Sequence, residues 1–246
     1  MSATEPTQIG DITQAAAHNL HGTPAATSPP LPQPLPQPQP QRSPDGIRRW
    51  LADVGIPAAS QGATWDGLAA KTESRETLSL YCSTIGRRVA VGEGVVLIGD
   101  VGTGKTCAMA LIAQAALDPG GGIETVFTGA SALLRKLHRV GTGSMEYQIE
   151  QIAEWNCRLL LLDDLGVEYR SPFASSLFHD LMEHRVAHRL ATCVTTNLTT
   201  DQIRGYSARL YDRLRMCCVF VPLLGTSQRQ PVDVASWHTE TTGGQQ

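Results

Sequence analysis

The sequence lacks a charge excess of either sign large enough to act at a distance: 20 Lys and Arg stand against 23 Asp and Glu, a formal charge of -3 over 246 residues. That excludes a global basic field for holding nucleic acid, so any DNA contact has to be local. No uninterrupted apolar run approaches the roughly 18 residues that cross a bilayer. Val95 to Ile98 and Leu159 to Leu162 instead have the length of buried strands. The first residues show neither a basic start nor an apolar stretch before a small-residue cleavage site, so no secretory signal is legible and a cytoplasmic location is expected. The six cysteines include no Cys-x-x-Cys pair. Cys107, Cys157 and Cys193 sit in apolar or helical runs, as reduced core thiols do, which argues against a disulfide or zinc framework.

What is present fits one α/β domain of about 200 residues with a tail. Apolar residues make up 41% and charged residues 17%, a globular balance. Ten of the 15 prolines fall within residues 1–44, which hold few large apolar side chains and cannot build a core. The run from Leu31 to Pro40 favours extended polyproline geometry, as a spacer or as a docking motif. The expected organisation is a disordered Pro/Gln-rich tail over 1–44, a linker with lead-in helices over 45–92, a nucleotide-binding core over 93–230 and a polar C-terminal tail over 231–246. Within the core, strand and helix patterns alternate, the signature of a parallel sheet covered by helices. Strands are predicted at Gly94–Ile98, Glu124–Thr128, Arg158–Asp163, Thr192–Thr196 and Val219–Leu223. Helices are predicted over Glu73–Val89, Lys105–Leu117, Ala130–Val140, Tyr147–Trp155, Pro172–His188 and Tyr206–Arg215, with Ser171 as N-cap of the fifth.

The strongest motif runs Gly99-Asp100-Val101-Gly102-Thr103-Gly104-Lys105-Thr106, a G-x-x-x-x-G-K-[ST] loop directly after the strand ending at Ile98. Its glycines let the backbone wrap close to a polyphosphate, so that amide N–H groups and the N-terminus of the following helix, from Lys105 through Cys107 onward, face the anion. Lys105 then reaches the β and γ phosphates, and the Thr106 hydroxyl is suited to Mg²⁺. About 60 residues on, Arg158 to Leu162 leads into Asp163-Asp164-Leu-Gly166, the pattern of a Walker B strand. It delivers Asp163 to hold Mg²⁺ and Asp164 to polarise an attacking water; taken alone, the pair could equally cap a loop. A third run, Thr192 to Asn197, ends in an amide able to bond the γ phosphate or its water. Its alternative is a helix-entry cap, a role open also to Thr199 or Thr200. Finally, Arg209 and Arg213 stand four residues apart on one helix face, where a permanent guanidinium suits a transferring phosphoryl group; the alternative is a solvated face with Asp212 as local partner.

In order and spacing these elements resemble the DnaC/IstB family of AAA+ ATPases, which contains replicative helicase loaders and ATP-binding helpers of insertion-sequence transposition. The resemblance runs from about Ile47 to Arg229 and includes Val54-Gly-Ile-Pro57, Thr64-Trp-Asp66, Leu161 to Gly166, Thr195 to Thr199, Arg209-x-x-x-Arg213-Leu and Gly225-Thr-Ser-Gln-Arg229. It implies an additional-strand P-loop fold: a five-stranded parallel sheet, flanked by helices, with the extra strand between the loop strand and the Walker B strand. It also implies slow ATP hydrolysis with Mg²⁺, self-association through ATP-containing interfaces, single-stranded DNA contact, Arg213 and less directly Arg209 as arginine fingers, and a replicative helicase or a transposase as partner. The sequence departs from the family in carrying Asp164 where many AAA+ proteins have Glu, and a Pro/Gln-rich tail where loaders carry a folded partner-binding domain. Its candidate DNA-contacting helix, around Arg135-Lys-Leu-His-Arg139, has only a small basic cluster and reads equally as a solvated amphipathic helix. A small-molecule kinase would need a basic lid before the final strand, and no such insertion is seen.

Removing residues 1–44 is expected to leave ATP binding and the melting temperature nearly unchanged, because the segment has too little apolar surface to pack on the domain. A thermal melt and a fluorescent-nucleotide titration of the truncated chain check this.

Overall fold

Short aliphatic and β-branched runs become strands here because both faces of the three central ones are buried, the situation of a parallel sheet between helical layers, while the two edge strands are only partly covered. The computed structural model describes residues 43–68, 70–117, 122–139, 152–166, 172–225 and 227, all within the unit spanning residues 40–246. Its strands are β1 (Gly94–Ile98), β2 (Thr125–Gly129), β3 (Leu159–Leu165), β4 (Ala191–Thr196) and β5 (Cys218–Pro222). All pairings are parallel, in the order β2-β3-β4-β1-β5, so the expected additional strand, β4, lies between the loop strand and the Walker B strand. No helix among the described residues is long and apolar enough to cross a membrane.

Period-two alternation divides the core in two. Val95, Leu97, Leu159, Leu161 and Cys193 face one layer: α1 (Pro44–Val54), α2 (Thr72–Ser83), α3 (Ile85–Val91) and α4 (Lys105–Ala116). Val96, Leu160, Leu162 and Val194 face the other: α5 (Ala130–Arg139), α6 (Ala153–Asn156), α7 (Pro172–Ala187), α8 (Thr200–Tyr206) and α9 (Ala208–Cys217). Helix α4 is buried nearly all round, from Ala108 through Ala113, because α1 and α2 cover the side turned away from the sheet. Each fully buried Leu or Ile in these layers contributes about 1.5–3 kcal/mol through removal of apolar surface from water.

Three helical boundaries differ from the pattern in the sequence. Ser43 caps α1 through its side chain and Pro44 occupies the first turn, so a truncation that spares this helix ends at residue 42. The helix predicted over Glu73–Val89 divides at Thr84, whose φ/ψ of -114/18 leave the helix and whose hydroxyl donates back to the Leu80 carbonyl at 2.6 Å. Tyr206 ends α8 rather than starting α9, because Ser207 is extended and its hydroxyl accepts from Leu210 N as the cap of the next helix. Most of the predicted helix Tyr147–Trp155, and the N-cap expected at Ser171, lie outside the described residues.

At the sheet edge where β4 begins, Arg185 of α7 is fully buried. Its Nε donates to Thr192 Oγ1 at 2.8 Å, Nη1 to the carbonyls of Glu154 and Trp155 at 3.0 and 3.1 Å, and Nη2 to those of Cys157 and Ala191 at 3.1 and 2.7 Å. All five guanidinium hydrogens are thereby used, largely on carbonyls at the end of α6 that have no helical partner. Burial draws its pKa below the usual arginine value, yet a guanidinium stays protonated in proteins. Arg185→Met should lower stability by about 3 kcal/mol by leaving several buried acceptors unpaired, and the melting midpoint by about 10 °C. Differential scanning calorimetry would show it, and an unchanged midpoint would contradict this account.

Candidate functional site

Strands β1, β3 and β4 end at the same edge of the sheet, where ligands of open α/β folds are held. The loop from Gly99 to Gly104 leaves β1 there and enters α4 at Lys105. Gly102 and Gly104 have φ of 85° and 89°, and a Cβ at Gly102 would also overlap Ser227. Side-chain-bearing residues would therefore distort the loop. Within it Asp100 and Val101 are exposed and Thr103 is buried, donating from Oγ1 to the Asp100 carbonyl at 2.9 Å; Cys107 follows, half-buried, in the first turn of α4. Lys105 is buried, and its ammonium donates to the carbonyls of Gly99 and Asp100, each at 2.8 Å.

Asp163 follows Leu159 and Leu161 on the face of β3 turned toward α4, which is why its carboxylate meets Thr106. Oδ2 lies 3.1 Å from Thr106 Oγ1, while Oδ1 accepts from Thr195 Oγ1 at 2.5 Å. Burial above all pushes the Asp163 carboxyl up from its ordinary range, and Asp164 adds to that. Bonds from Thr195 and Thr106 and the charge of Lys105 pull the other way without cancelling it. Immediately after it, Leu162 pairs with Val194 but Leu165 pairs with Thr196, so β3 takes three steps where β4 takes two. This bulge leaves Asp164 exposed with φ of 59°, its N–H donating to Thr195 Oγ1 at 2.8 Å.

The fit of a divalent cation can be tested on the donors themselves. Octahedral Mg²⁺ with oxygens at about 2.1 Å sets adjacent ligands about 3.0 Å apart, close to the Thr106–Asp163 separation. Two hard protein oxygens, the rest of the shell being left to water and phosphate, suit Mg²⁺. No cluster of three His, Cys, Asp or Glu able to hold a metal occurs among the described residues.

Asn197 lies just past the end of β4, whose last pairings are with Ile98 and Leu165, hence between the loop and the Walker B strand in the sheet order. It does not cap α8: Thr199 does, accepting from Gln202 N and receiving the reciprocal bond from the Gln202 side chain. The Asn197 amide oxygen is buried with no hydrogen-bond partner among the described residues.

Arg209 and Arg213 line one open depression of about 670 Å³ with His179, Glu183, Ala208 and Asp212, on the helical layer opposite α4. Arg213 Nε donates to Glu183 of α7, and Nη1 stands 3.4 Å from Asp212. The Glu183 bond holds that carboxyl below its ordinary range and raises the Arg213 guanidinium. Sequence reasoning anticipated Asp212 but not Glu183, which only the packing of α9 on α7 brings near. Likewise Lys136 of the basic helix pairs with buried Glu154 at 2.8 Å, leaving Arg135 exposed; the side chains of 137–139 lie outside the described residues. Thr195, unassigned in the sequence, could have been found by alternation: two residues after Cys193, it shares the α4-facing side of β4.

A phosphate loop at the head of α4, an acidic bulge beside it and an inserted β4 define a P-loop ATP-binding fold of the AAA+ class. A family model described as "IstB-like ATP binding protein" matches residues 82–232, and the chain belongs to that family. Among solved structures it is similar to the DnaC helicase loader, with a TM-score of 0.55 and 20% identity over 68% of this chain and 99% of that one. DnaI matches with a TM-score of 0.56 and 22% identity over 68% and 94%. The replication initiator DnaA bound to AMPPCP and single-stranded DNA matches at 0.56 and 16% over 71% and 53%. No curated protein sequence matches the chain.

Because the folded protein raises the Asp163 pKa, it loses stability as pH rises through the carboxylate range. Asp163→Asn, which keeps an acceptor for Thr195, should therefore melt a few degrees higher than the parent at pH 8 in EDTA while losing the Mg²⁺ dependence of nucleotide binding. A lower melting temperature in EDTA would contradict the burial penalty.

Proposed function

We propose that the protein is an ATP-controlled assembly switch that binds Mg²⁺-ATP, hydrolyses it slowly and loads a replicative helicase onto single-stranded DNA. The observation that carries the ATPase part is the 3.1 Å contact between Thr106 at the loop and Asp163 at the end of β3, with Asp164 beside it. Mg²⁺, when bound, neutralises charge on the β and γ oxygens. Lys105 exchanges loop carbonyls for phosphate oxygens, Asp164 orients or deprotonates the attacking water, and Asn197 bonds the γ phosphate or that water. Asp164 is one methylene shorter than Glu, which shortens its reach and fits slow turnover. Arg213, reaching from a neighbouring subunit, stabilises the transferring phosphoryl group once released from Glu183, with Arg209 assisting.

The likeness to the DnaC helicase loader over nearly the whole of that chain supports helicase loading. A second reading, an ATP-binding helper of a DDE transposase, is supported by the family match itself, which is described as IstB-like. DNA contact is supported by the likeness to DnaA bound to single-stranded DNA, with Arg135 and Lys136 exposed on the basic helix. Capture by the tagged protein of purified replicative helicase and purified transposase, each with ATP and with ADP, separates the readings by which partner is retained.

Lys105→Ala should lose ATP binding, whereas Arg213→Ala should bind ATP normally and hydrolyse on the order of 10³-fold more slowly. Mixing the two should restore part of the activity, because a mixed interface pairs an intact loop with an intact finger. Normal hydrolysis by Arg213→Ala, or mixtures without recovery at any concentration, would return α9 to a solvated basic face.

A further inference from the structure

Resting on the ATPase reading of the same site, we propose that Thr195 is the positioning residue of the acidic pair. Its one hydroxyl turns the Asp163 carboxylate toward Thr106 and fixes the backbone turn that presents Asp164. Thr195 is fully buried in the central strand and touches both residues. The direction of each bond is settled by donor capacity: the Asp164 N–H can only donate, so the hydroxyl accepts there, and its single hydrogen goes to Asp163 Oδ1. With Oδ1 engaged by Thr195, Oδ2 is the oxygen nearer to Thr106, at 3.1 Å against 3.5 Å for Oδ1. The second bond acts on Asp164, whose φ of 59° is a conformation that disfavours a residue with a Cβ and has to be held by its surroundings.

The neighbouring hydroxyl cannot substitute. Thr196 faces the opposite core, donates to the Leu165 carbonyl at 2.7 Å and accepts from Leu198 N at 3.0 Å, securing the far side of the same bulge. Valine has the shape and strand preference that the Thr195 position asks for. What valine lacks is these two bonds, and their loss leaves one carboxylate oxygen and one backbone N–H of the acidic pair without their partner.

The test titrates Mg²⁺ into the full chain with a fluorescent ATP analogue, and measures turnover separately, for the parent, Thr195→Val, Thr195→Ser and Thr195→Cys. Thr195→Val and Thr195→Cys should raise the half-saturating Mg²⁺ concentration about tenfold or more and lower kcat, with Mg²⁺-free nucleotide affinity nearly unchanged. Thr195→Ser should behave as the parent. Should Thr195→Val fail to fold, the pair Ser and Cys, alike in shape and unlike in donor strength, decides the matter. Parent-like Mg²⁺ dependence in the Val and Cys variants, or a Ser variant as impaired as Val, would overturn the assignment and make Thr195 a core residue only. A parent chain that shows no Mg²⁺-dependent nucleotide binding would instead overturn the ATPase reading beneath it.

Discussion

The insertion of β4 between β1 and β3 is the constraint on which the remaining architecture depends. A strand paired on both sides exposes no backbone edge, and its side chains must enter the two cores alternately: Cys193 and Val194 do so with no exposure at all. Its end therefore emerges at a fixed place, between the phosphate loop and the acidic bulge. Residues as ordinary as Thr195 and Asn197 acquire chemical neighbours from that placement alone.

Polar groups are buried at both ends of the sheet, and the two ends are built differently. Where β4 begins, Thr192 and four backbone carbonyls satisfy every donor of Arg185, so the arrangement is closed and structural. Where it ends, Asp163 stays partly uncompensated, the Asn197 amide oxygen has no partner among the described residues, and Asp164 sits in a disfavoured backbone region. Saturated polarity at one pole and unsaturated polarity at the other is what separates scaffold from candidate site in this fold.

Much of this was legible in the sequence, for reasons that can be named. The phosphate loop needs glycines at fixed spacing, and the five strands show themselves as apolar runs, displaced by no more than two residues from the structure. The breaks at Thr84 and Ser207 were less visible, since both residues are compatible with helix and only their hydroxyl bonding to the backbone decides otherwise. Contacts between elements far apart in the chain left no local signal. Arg185 reads as one more charge on a helix, and neither Glu183 beneath Arg213 nor Glu154 beneath Lys136 is marked by any spacing rule. The alternation that brings Thr195 beside Asp163 was present in the pattern, but its meaning required the strand order.

The carbonyls of Gly99 and Asp100 already accept from the ammonium that a phosphate loop of this kind offers to its ligand. On the role proposed for Lys105, nucleotide affinity would measure a difference between two sets of partners for one ammonium, not the strength of either.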